Sequence, residues 1–190
     1  MILLARHCAP QIEPGVPPRE WRLSETGRQQ CASLAESLKR HAPSWIVSSA
    51  ASKARETADA LGRALGIEVA VREGLHEQDR SGVPFARDPG GVRARIRELF
   101  AQPAQPVFGR ESADAARARF SVALERALRD APSSPIVVVA HGTVISLLVA
   151  GANGLDGFAF WESLEPGDYV VLTTPWLQLS EVVHLAAPSA

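Results

Sequence analysis

Three residues suited to handling a phosphoryl group directly follow two apolar runs of this chain. Arg6 and His7 come after the run at residues 1–5, and His141 comes after the run at residues 135–140. An arginine fork matches phosphate oxygens bidentately and keeps its charge at any working pH. A neutral histidine can accept a phosphoryl group on nitrogen, and a second histidine can hydrogen-bond the oxygens that carry the developing charge. These residue types indicate phosphoryl transfer without a metal, provided that the fold brings them together.

The two apolar runs are predicted to be strands buried on both faces. Neither run has an amphipathic period, which is typical of short strands in a parallel sheet. In an open α/β sheet, ligands bind beyond the carboxyl ends of such strands. If the two strands are neighbours, His7 and His141 therefore meet in one crevice.

The rest of the chain alternates helix and strand signals. Residues 9–22 contain four prolines and a glycine and are predicted to be a loop. Helices are predicted over 24–39 with Ser24 as the cap, over 52–65, 92–100 and 112–130, and from just past His141; the further strands are predicted over 45–49, 67–71, 169–174 and 177–185. This pattern predicts one domain over residues 1–190, of the α/β class. Its expected form is a three-layer α/β/α sandwich around a mostly parallel sheet of about six strands.

Composition narrows the class of protein further. A hydrophobic fraction of 46% and a charged fraction of 22% indicate an ordinary globular chain. The net charge of −1 argues against a nucleic-acid partner and a polybasic membrane address, and no apolar stretch reaches the roughly 18 residues that span a bilayer. The two cysteines, Cys8 and Cys31, form no disulfide framework, so a cytoplasmic location is expected.

The sequence favours a small phosphorylated substrate and leaves the oligomeric state open, with a homodimer as one option. Neither a cofactor nor a metal is expected, because no pair of histidine, cysteine or carboxylate residues has a recognised ligand spacing.

Six short segments combine reactive residues with small residues at defined spacing. They are Leu-Ala-Arg-His at 4–7, Leu-Ser-Glu-Thr-Gly-Arg-Gln-Gln at 23–30, Ser-Ser-Ala-Ala-Ser-Lys-Ala-Arg-Glu-Thr-Ala at 48–58, Leu-His-Glu at 75–77, Gly-Arg-Glu-Ser at 109–112 and Ala-His-Gly at 140–142. In order and rough spacing they resemble the signature segments of the histidine phosphatase superfamily, the phosphoglycerate-mutase-like proteins. Each segment alone is a weak signal, and six in register are a strong one. The resemblance runs from residue 2 to about residue 174.

The resemblance implies a metal-independent phosphatase that acts on a small phosphomonoester. By that resemblance His7 is the phosphohistidine nucleophile, and Arg6 and His141 hold the phosphoryl group. Glu77 is the implied proton donor and general base, with Asp79 as the rival acid in the same loop. Mutases of the family carry longer insertions than this chain has between Glu77 and Gly109, so a mutase is the less favoured reading.

Two positions depart from the family pattern. Lys53 stands where the family has its second phosphate-binding arginine, and it offers a flexible point charge in place of a fork. Cys8 replaces the signature glycine and forgoes that residue's backbone freedom. These departures motivate the alternative of a weakened, phosphate-binding or regulatory protein. Cys8 as a thiolate nucleophile is disfavoured, because no arginine-ended phosphate loop follows it.

The substrate side is expected in two loops, over residues 10–21 and 80–97. Arginines there are candidates for binding a second acidic group, and aromatic residues are candidates for apolar walls. The candidate contacts are Arg19, Arg22, Arg80 and Arg87, with Trp21 and Phe85 as the walls.

Overall fold

A six-stranded sheet forms the centre of the molecule, described here from a computed structural model that covers residues 1–84 and 88–186. The strands are β1 (Ile2–Arg6), β2 (Trp45–Ser48), β3 (Val69–Val71), β4 (Ile136–Ala140), β5 (Tyr169–Thr173) and β6 (Gln178–Val183). Their order across the sheet is β3-β2-β4-β1-β5-β6. The first four run parallel, β5 is antiparallel to β1, and β6 is antiparallel to β5.

Six α-helices cover the two faces of this sheet. They are α1 (Glu25–Lys39), α2 (Ser52–Leu65), α3 (Pro89–Ala101), α4 (Ala113–Asp130), α5 (Gly142–Asn153) and α6 (Gly157–Ser163). The first two pack on one face, and the other four contribute to the core on the opposite face. The predicted three-layer sandwich with a mostly parallel sheet is therefore confirmed.

Residues of β1 alternate between the two cores. Leu3 and Ala5 face α1 and α2, whereas Ile2 and Leu4 face α4 and α5, and all four are fully buried. Covering both faces explains why the strands read as continuous apolar runs. Each fully buried aliphatic side chain stabilises the fold by about 1.5–3 kcal/mol relative to an exposed one.

Most predicted elements recur with small shifts at their ends. β3 begins at Val69 and not at residue 67, because the Ile67 amide donates to the Gly62 carbonyl and completes the end of α2. α3 begins three residues earlier than the predicted 92, because the Asp88 side chain accepts the Gly90 and Gly91 amides. Two elements were not predicted, a single 3-10 turn at Pro18–Glu20 within the proline-rich loop and α6. In the described part of the chain, no helix is both long enough and apolar enough for a membrane span.

Candidate active site

The ends of β1 and β4 place the two histidines side by side. Arg6 pairs with Ala140 in the parallel ladder, and the His7 amide donates to the Ala140 carbonyl at 2.9 Å. His7 and His141 therefore leave adjacent strands at the same level. Both side chains are buried, and their ring centroids lie 5.2 Å apart.

The protonation of His7 follows from its hydrogen bond. Its Nδ1 lies 2.8 Å from the Cys8 carbonyl oxygen, which can only accept, so Nδ1 carries the proton. In the neutral ring Nε2 then has a free lone pair. Burial, and next the neighbouring His141 and Lys53, hold the pKa of His7 well below its usual value. His7 is consequently neutral near pH 7, with Nε2 as its nucleophilic atom.

The second histidine is oriented from the neighbouring strand β2. His141 Nε2 lies 2.9 Å from the Ser49 hydroxyl, which also accepts the Ala51 amide at 3.3 Å. Burial and then the charge of Lys53 hold the pKa of His141 well below its usual value. Its Nδ1 is buried and has no hydrogen-bond partner among residues 1–84 and 88–186. Ser49 was not singled out from the sequence, although it lies in the Ser-Ser segment.

Motif residues from two helices fix the backbone that follows His7. Thr57 of α2 accepts the Cys8 amide at 3.1 Å, and Gln30 of α1 accepts the Ala9 amide at 2.8 Å. A Cβ added at Gly27 would lie 2.1 Å from the Ala9 carbonyl oxygen, so only glycine permits this close approach of α1. The segments at 23–30 and 48–58 thus fix the backbone directly after His7.

Arg6 is held between β1 and the chain that follows α6. Its Nη1 donates to the Leu164 carbonyl, while its Nε is buried without a partner in the described residues. A Cβ on Gly142 would lie 3.2 Å from the guanidinium carbon, so the start of α5 lies directly against this side chain. Burial lowers the pKa of Arg6, yet a guanidinium remains charged at any working pH.

Lys53 occupies the first turn of α2 and points into the same region. Its Nζ donates to the Pro18 carbonyl at 2.7 Å and lies 5.2 Å from the ring centroid of Trp21. Burial lowers its pKa to about 8, against the attraction of Glu77. Its charge in turn lowers the pKa of both histidines, which indicates its closeness to them.

Glu77 is bound to the N-terminus of α5. Its Oε2 accepts the Thr143 amide at 3.1 Å, and its Oε1 accepts the Val144 amide at 3.2 Å. The first amides of a helix have no intrahelical partner and attract negative charge. Burial alone would raise the pKa of Glu77, but Arg80 and the backbone donors outweigh burial, and the pKa is lowered. The carboxyl group is therefore ionised in the free protein near neutral pH.

Of the predicted substrate-side arginines within the described residues, Arg80 is the one that lies among these groups. Its Nη2 donates to the Thr143 hydroxyl at 2.6 Å and lies 3.7 Å from Glu77 Oε2. Its guanidinium lies 4.9 Å from the ring centroid of Phe108. A third cation thus joins Arg6 and Lys53.

The other predicted residues are placed differently. Asp79 accepts the amide of Ser81 at 2.8 Å, and its described hydrogen bonds involve none of the histidines or cations of the site. The side chain of Arg19 is 80% exposed and paired with Glu20, so it is not brought to the site. Phe85, like Arg87, lies outside the described residues.

Arg22, the last of these candidates, pairs with Glu56.

In the described residues, no group of three or more histidine, cysteine or carboxylate side chains is arranged to hold a metal ion.

The comparison with known families decides the classification. Residues 2–174 match the family model described as the histidine phosphatase superfamily, branch 1. The chain belongs to this superfamily. This match confirms the predicted family. It also confirms the predicted enzyme class, a histidine-type phosphatase.

Relatives with assigned names lie within the same superfamily. The chain is 38% identical over 155 residues to the glucosyl-3-phosphoglycerate phosphatase of Mycobacterium tuberculosis, covering 75% of this chain and 68% of the relative. It is 27% identical over 175 residues to a probable phosphoglycerate mutase of Photorhabdus laumondii, covering 86% of this chain and 80% of the relative. A solved structure of the mycobacterial glucosyl-3-phosphoglycerate phosphatase has the same fold, with a TM-score of 0.75 at 23% identity, over 100% of this chain and 99% of that one.

Proposed function

We propose that this protein hydrolyses a small phosphomonoester through a phosphohistidine formed on Nε2 of His7. The observation that carries the proposal is the state of this ring. His7 is buried and neutral, and its Nδ1–H donates to the Cys8 carbonyl oxygen, so the lone pair of the neutral ring lies on Nε2. A neutral imidazole with one fixed tautomer is a prepared nucleophile for phosphorus.

Three cations supply the charge that receives the phosphoryl group. Arg6, Lys53 and Arg80 all interact with Glu77, and together the three cations attract a negatively charged phosphoryl group. His141 completes the set. With the Ser49 hydroxyl donating to Nε2, its Nδ1 carries a proton that no described residue accepts and that suits a phosphoryl oxygen. Preorganised donors of this kind stabilise charge as it develops in the transition state.

Glu77 serves as the acid in the first half-reaction. The His7 Nε2–P bond forms while the bond from phosphorus to the leaving oxygen breaks, and that oxygen takes a proton from the Glu77 carboxyl group. Because the free carboxyl group is ionised, the proton arrives with the substrate as a phosphate monoanion, whose second pKa is about 6. Alkyl phosphates are therefore expected to react best in slightly acidic solution.

The second half-reaction returns the enzyme to its starting state. Glu77, now a carboxylate, takes a proton from a water molecule as the water oxygen attacks phosphorus. The bond from phosphorus to His7 Nε2 breaks, and inorganic phosphate takes the proton back from Glu77 and leaves as the monoanion, so that the carboxyl group is ionised again. The cycle uses the same carboxyl group as acid and then as base.

The substrate class we propose is a small phosphorylated metabolite. The named phosphatase relative acts on glucosyl-3-phosphoglycerate, which supports a compact ester with a sugar or glycerate part. Two substrate-side residues predicted from the sequence lie next to groups of the proposed phosphoryl site. The Trp21 ring lies beside the Lys53 ammonium group, and the Arg80 guanidinium lies beside the Glu77 carboxylate. A cytoplasmic location is part of the proposal, and the two free cysteines support it.

Trapping the intermediate tests the nucleophile. Rapid acid-free quench of the enzyme with a 32P-labelled aryl phosphate should leave label that is stable to base and labile to acid. His7→Ala should lose both label and turnover while keeping its circular dichroism spectrum. His76→Ala is the matched control, because His76 lies in the Glu77 loop with an exposed side chain, and it should keep the label.

Other results would identify the competing readings. Label that persists in His7→Ala would move the nucleophile to another residue. A protein that binds inorganic phosphate but never turns over would be the weakened binder. With 3-phosphoglycerate as substrate, release of inorganic phosphate supports a phosphatase, whereas formation of 2-phosphoglycerate would indicate a mutase.

A further inference from the structure

The loop that carries Glu77 is bound from behind by one side chain of α4. Arg119 Nη1 donates to the carbonyl oxygens of Gly74 at 2.7 Å and His76 at 2.9 Å, and its Nη2 donates to that of Glu77 at 3.3 Å. One guanidinium thus satisfies three backbone acceptors within four consecutive residues. These contacts go to the main chain, so they set the position of the loop itself.

Glu111 holds this guanidinium in place from the opposite side. Its two carboxylate oxygens accept from Arg119 Nε and Nη2, each at 2.8 Å. The Oε2 atom of Glu111 also accepts the amide of Asp79 at 3.0 Å, so the pair grips the loop on both sides of Glu77. The two side chains are only 21% and 15% exposed, which favours a strong bidentate pair over a solvent-screened one.

The ion pair of Arg119 and Glu111, called the clamp below, affects the chemistry of the site because it sets the position of Glu77. The carboxyl group must reach the amides of Thr143 and Val144 while one oxygen stays available to the leaving group. A displacement of about 1 Å in a reacting group can lower a rate on the order of a hundredfold. Arg119 itself makes its described hydrogen bonds only to the loop and to Glu111. It can therefore act on the chemistry only through the loop.

We infer that Arg119, gripped by Glu111, is a positioning residue for proton transfer by Glu77. The inference rests on the proposed role of Glu77 as the acid. It assigns a function to the Gly-Arg-Glu-Ser segment, whose glutamate holds the clamp. It also predicts that damage to the clamp is felt only by substrates that need a proton.

The experiment compares substrates that differ in their need for an acid. The value of kcat/KM, which reports the steps through phosphoryl transfer to His7, is measured for p-nitrophenyl phosphate and for glycerol 3-phosphate. Nitrophenolate is a good leaving group and departs without a proton, whereas an alkoxide must be protonated as it departs. Glu77→Gln is the reference variant. Its kcat/KM is expected to fall on the order of a hundredfold for the alkyl ester, glycerol 3-phosphate, and far less for the aryl ester, p-nitrophenyl phosphate.

Two variants test the clamp, and a third is the control. Arg119→Lys and Glu111→Gln are each expected to lower kcat/KM for the alkyl ester at least about tenfold, and for the aryl ester less than about threefold. Arg117→Lys is the matched control on the same helix, since the Arg117 side chain is half exposed and pairs with Asp114 on the helix surface. It should leave both values unchanged. Melting temperatures of all variants separate a loss of fold from a loss of positioning.

The outcomes distinguish a wrong role for Arg119 from a wrong role for Glu77. If Glu77→Gln shows the leaving-group difference and neither clamp variant does, the clamp has no positioning role. If both clamp variants slow the two substrates equally at a normal melting temperature, Arg119 acts on something other than proton transfer, and the inference is wrong. If Glu77→Gln itself shows no difference, the proposed acid is wrong, and Asp79→Asn becomes the variant to compare.

Discussion

At the scale of single residues, the substitution of lysine at position 53 sets this site apart. An arginine there would be charged at every working pH, whereas burial lowers the pKa of Lys53 to about 8. Its ammonium group also donates to the Pro18 carbonyl, so part of its hydrogen-bonding capacity is used by the protein. The site is therefore expected to work with a third cation whose charge depends on pH.

This difference predicts a specific pH profile. The suitable substrate is p-nitrophenyl phosphate, because its leaving group needs no proton. As the pH rises through about 8, Lys53 loses its proton, and kcat/KM for this substrate should fall. Lys53→Arg should abolish this alkaline decline. Lys53→Ala should lower kcat/KM at pH 6.5 by about tenfold to a hundredfold, since one aimed donor is removed.

The chain contains one other lysine, which provides the control for these assays. Lys39 is exposed and pairs with Glu36 on α1, and Lys39→Arg should keep the wild-type profile. An alkaline decline that persists unchanged in Lys53→Arg would assign the titration to another group.

At the scale of elements, the N-terminus of α5 organises the site. His141 is its N-cap, Gly142 lies against the Arg6 guanidinium, and the next two amides bind Glu77. One helix end thereby couples the position of Arg6, the proposed phosphate ligand, to that of Glu77, the proposed acid. The orphan amides and the helix dipole explain why the Glu77 carboxylate is found there.

Gly142→Ala probes this close approach. A Cβ would lie 3.2 Å from the Arg6 guanidinium carbon, so the guanidinium must move by a few tenths of an ångström. Inhibition by inorganic phosphate should weaken and kcat/KM should fall, each by roughly threefold to tenfold. The melting temperature should not drop, because alanine favours helix over glycine by up to about 1 kcal/mol.

Gly151→Ala, in the same helix, is the comparison for that variant. The added Cβ meets only the flexible Arg117 side chain, so inhibition by phosphate should not change. Unaltered inhibition in Gly142→Ala as well would show that Arg6 does not bind the phosphoryl group.

At the scale of the whole molecule, one sheet separates two hydrophobic cores, and strands β1 and β4 contribute side chains to both. Neighbouring residues of β1 and β4 belong to opposite cores, so neither core can be lost while the other stays intact. The predicted single domain over residues 1–190 should therefore unfold in one cooperative step.

Urea unfolding followed by tryptophan fluorescence and by circular dichroism tests this expectation. The two transitions should coincide. Inorganic phosphate at about a hundred times its Kd should add about 2.7 kcal/mol to the free energy of unfolding, and chloride at matched ionic strength should not. Two separated transitions would contradict a single domain.

Local signals in the chain were sufficient for the six strands, for five of the six helices and for the positions of the two histidines after their strands. Ser24 caps α1 through the Gly27 amide, and Gly66 ends α2 with φ of 68°, as their residue types predict. His7 and His141 follow apolar runs that a covered parallel sheet requires. These features depend on neighbours in the chain, and for that reason they can be predicted from the sequence.

Tertiary structure alone decided the groups that complete the site. The Leu-His-Glu segment favours Glu77 over Asp79, but the contacts that separate the two acids are tertiary. Glu77 accepts amides of α5, more than 60 residues away, whereas Asp79 accepts the nearby Ser81 amide. Arg80 reaches the site and Arg19 does not, because the loop after β3 folds against α5. Arg119 lies 42 residues beyond the loop it binds and carries no local signal. Contacts between distant segments depend on how the helices pack on the sheet, and no periodicity within the chain encodes them.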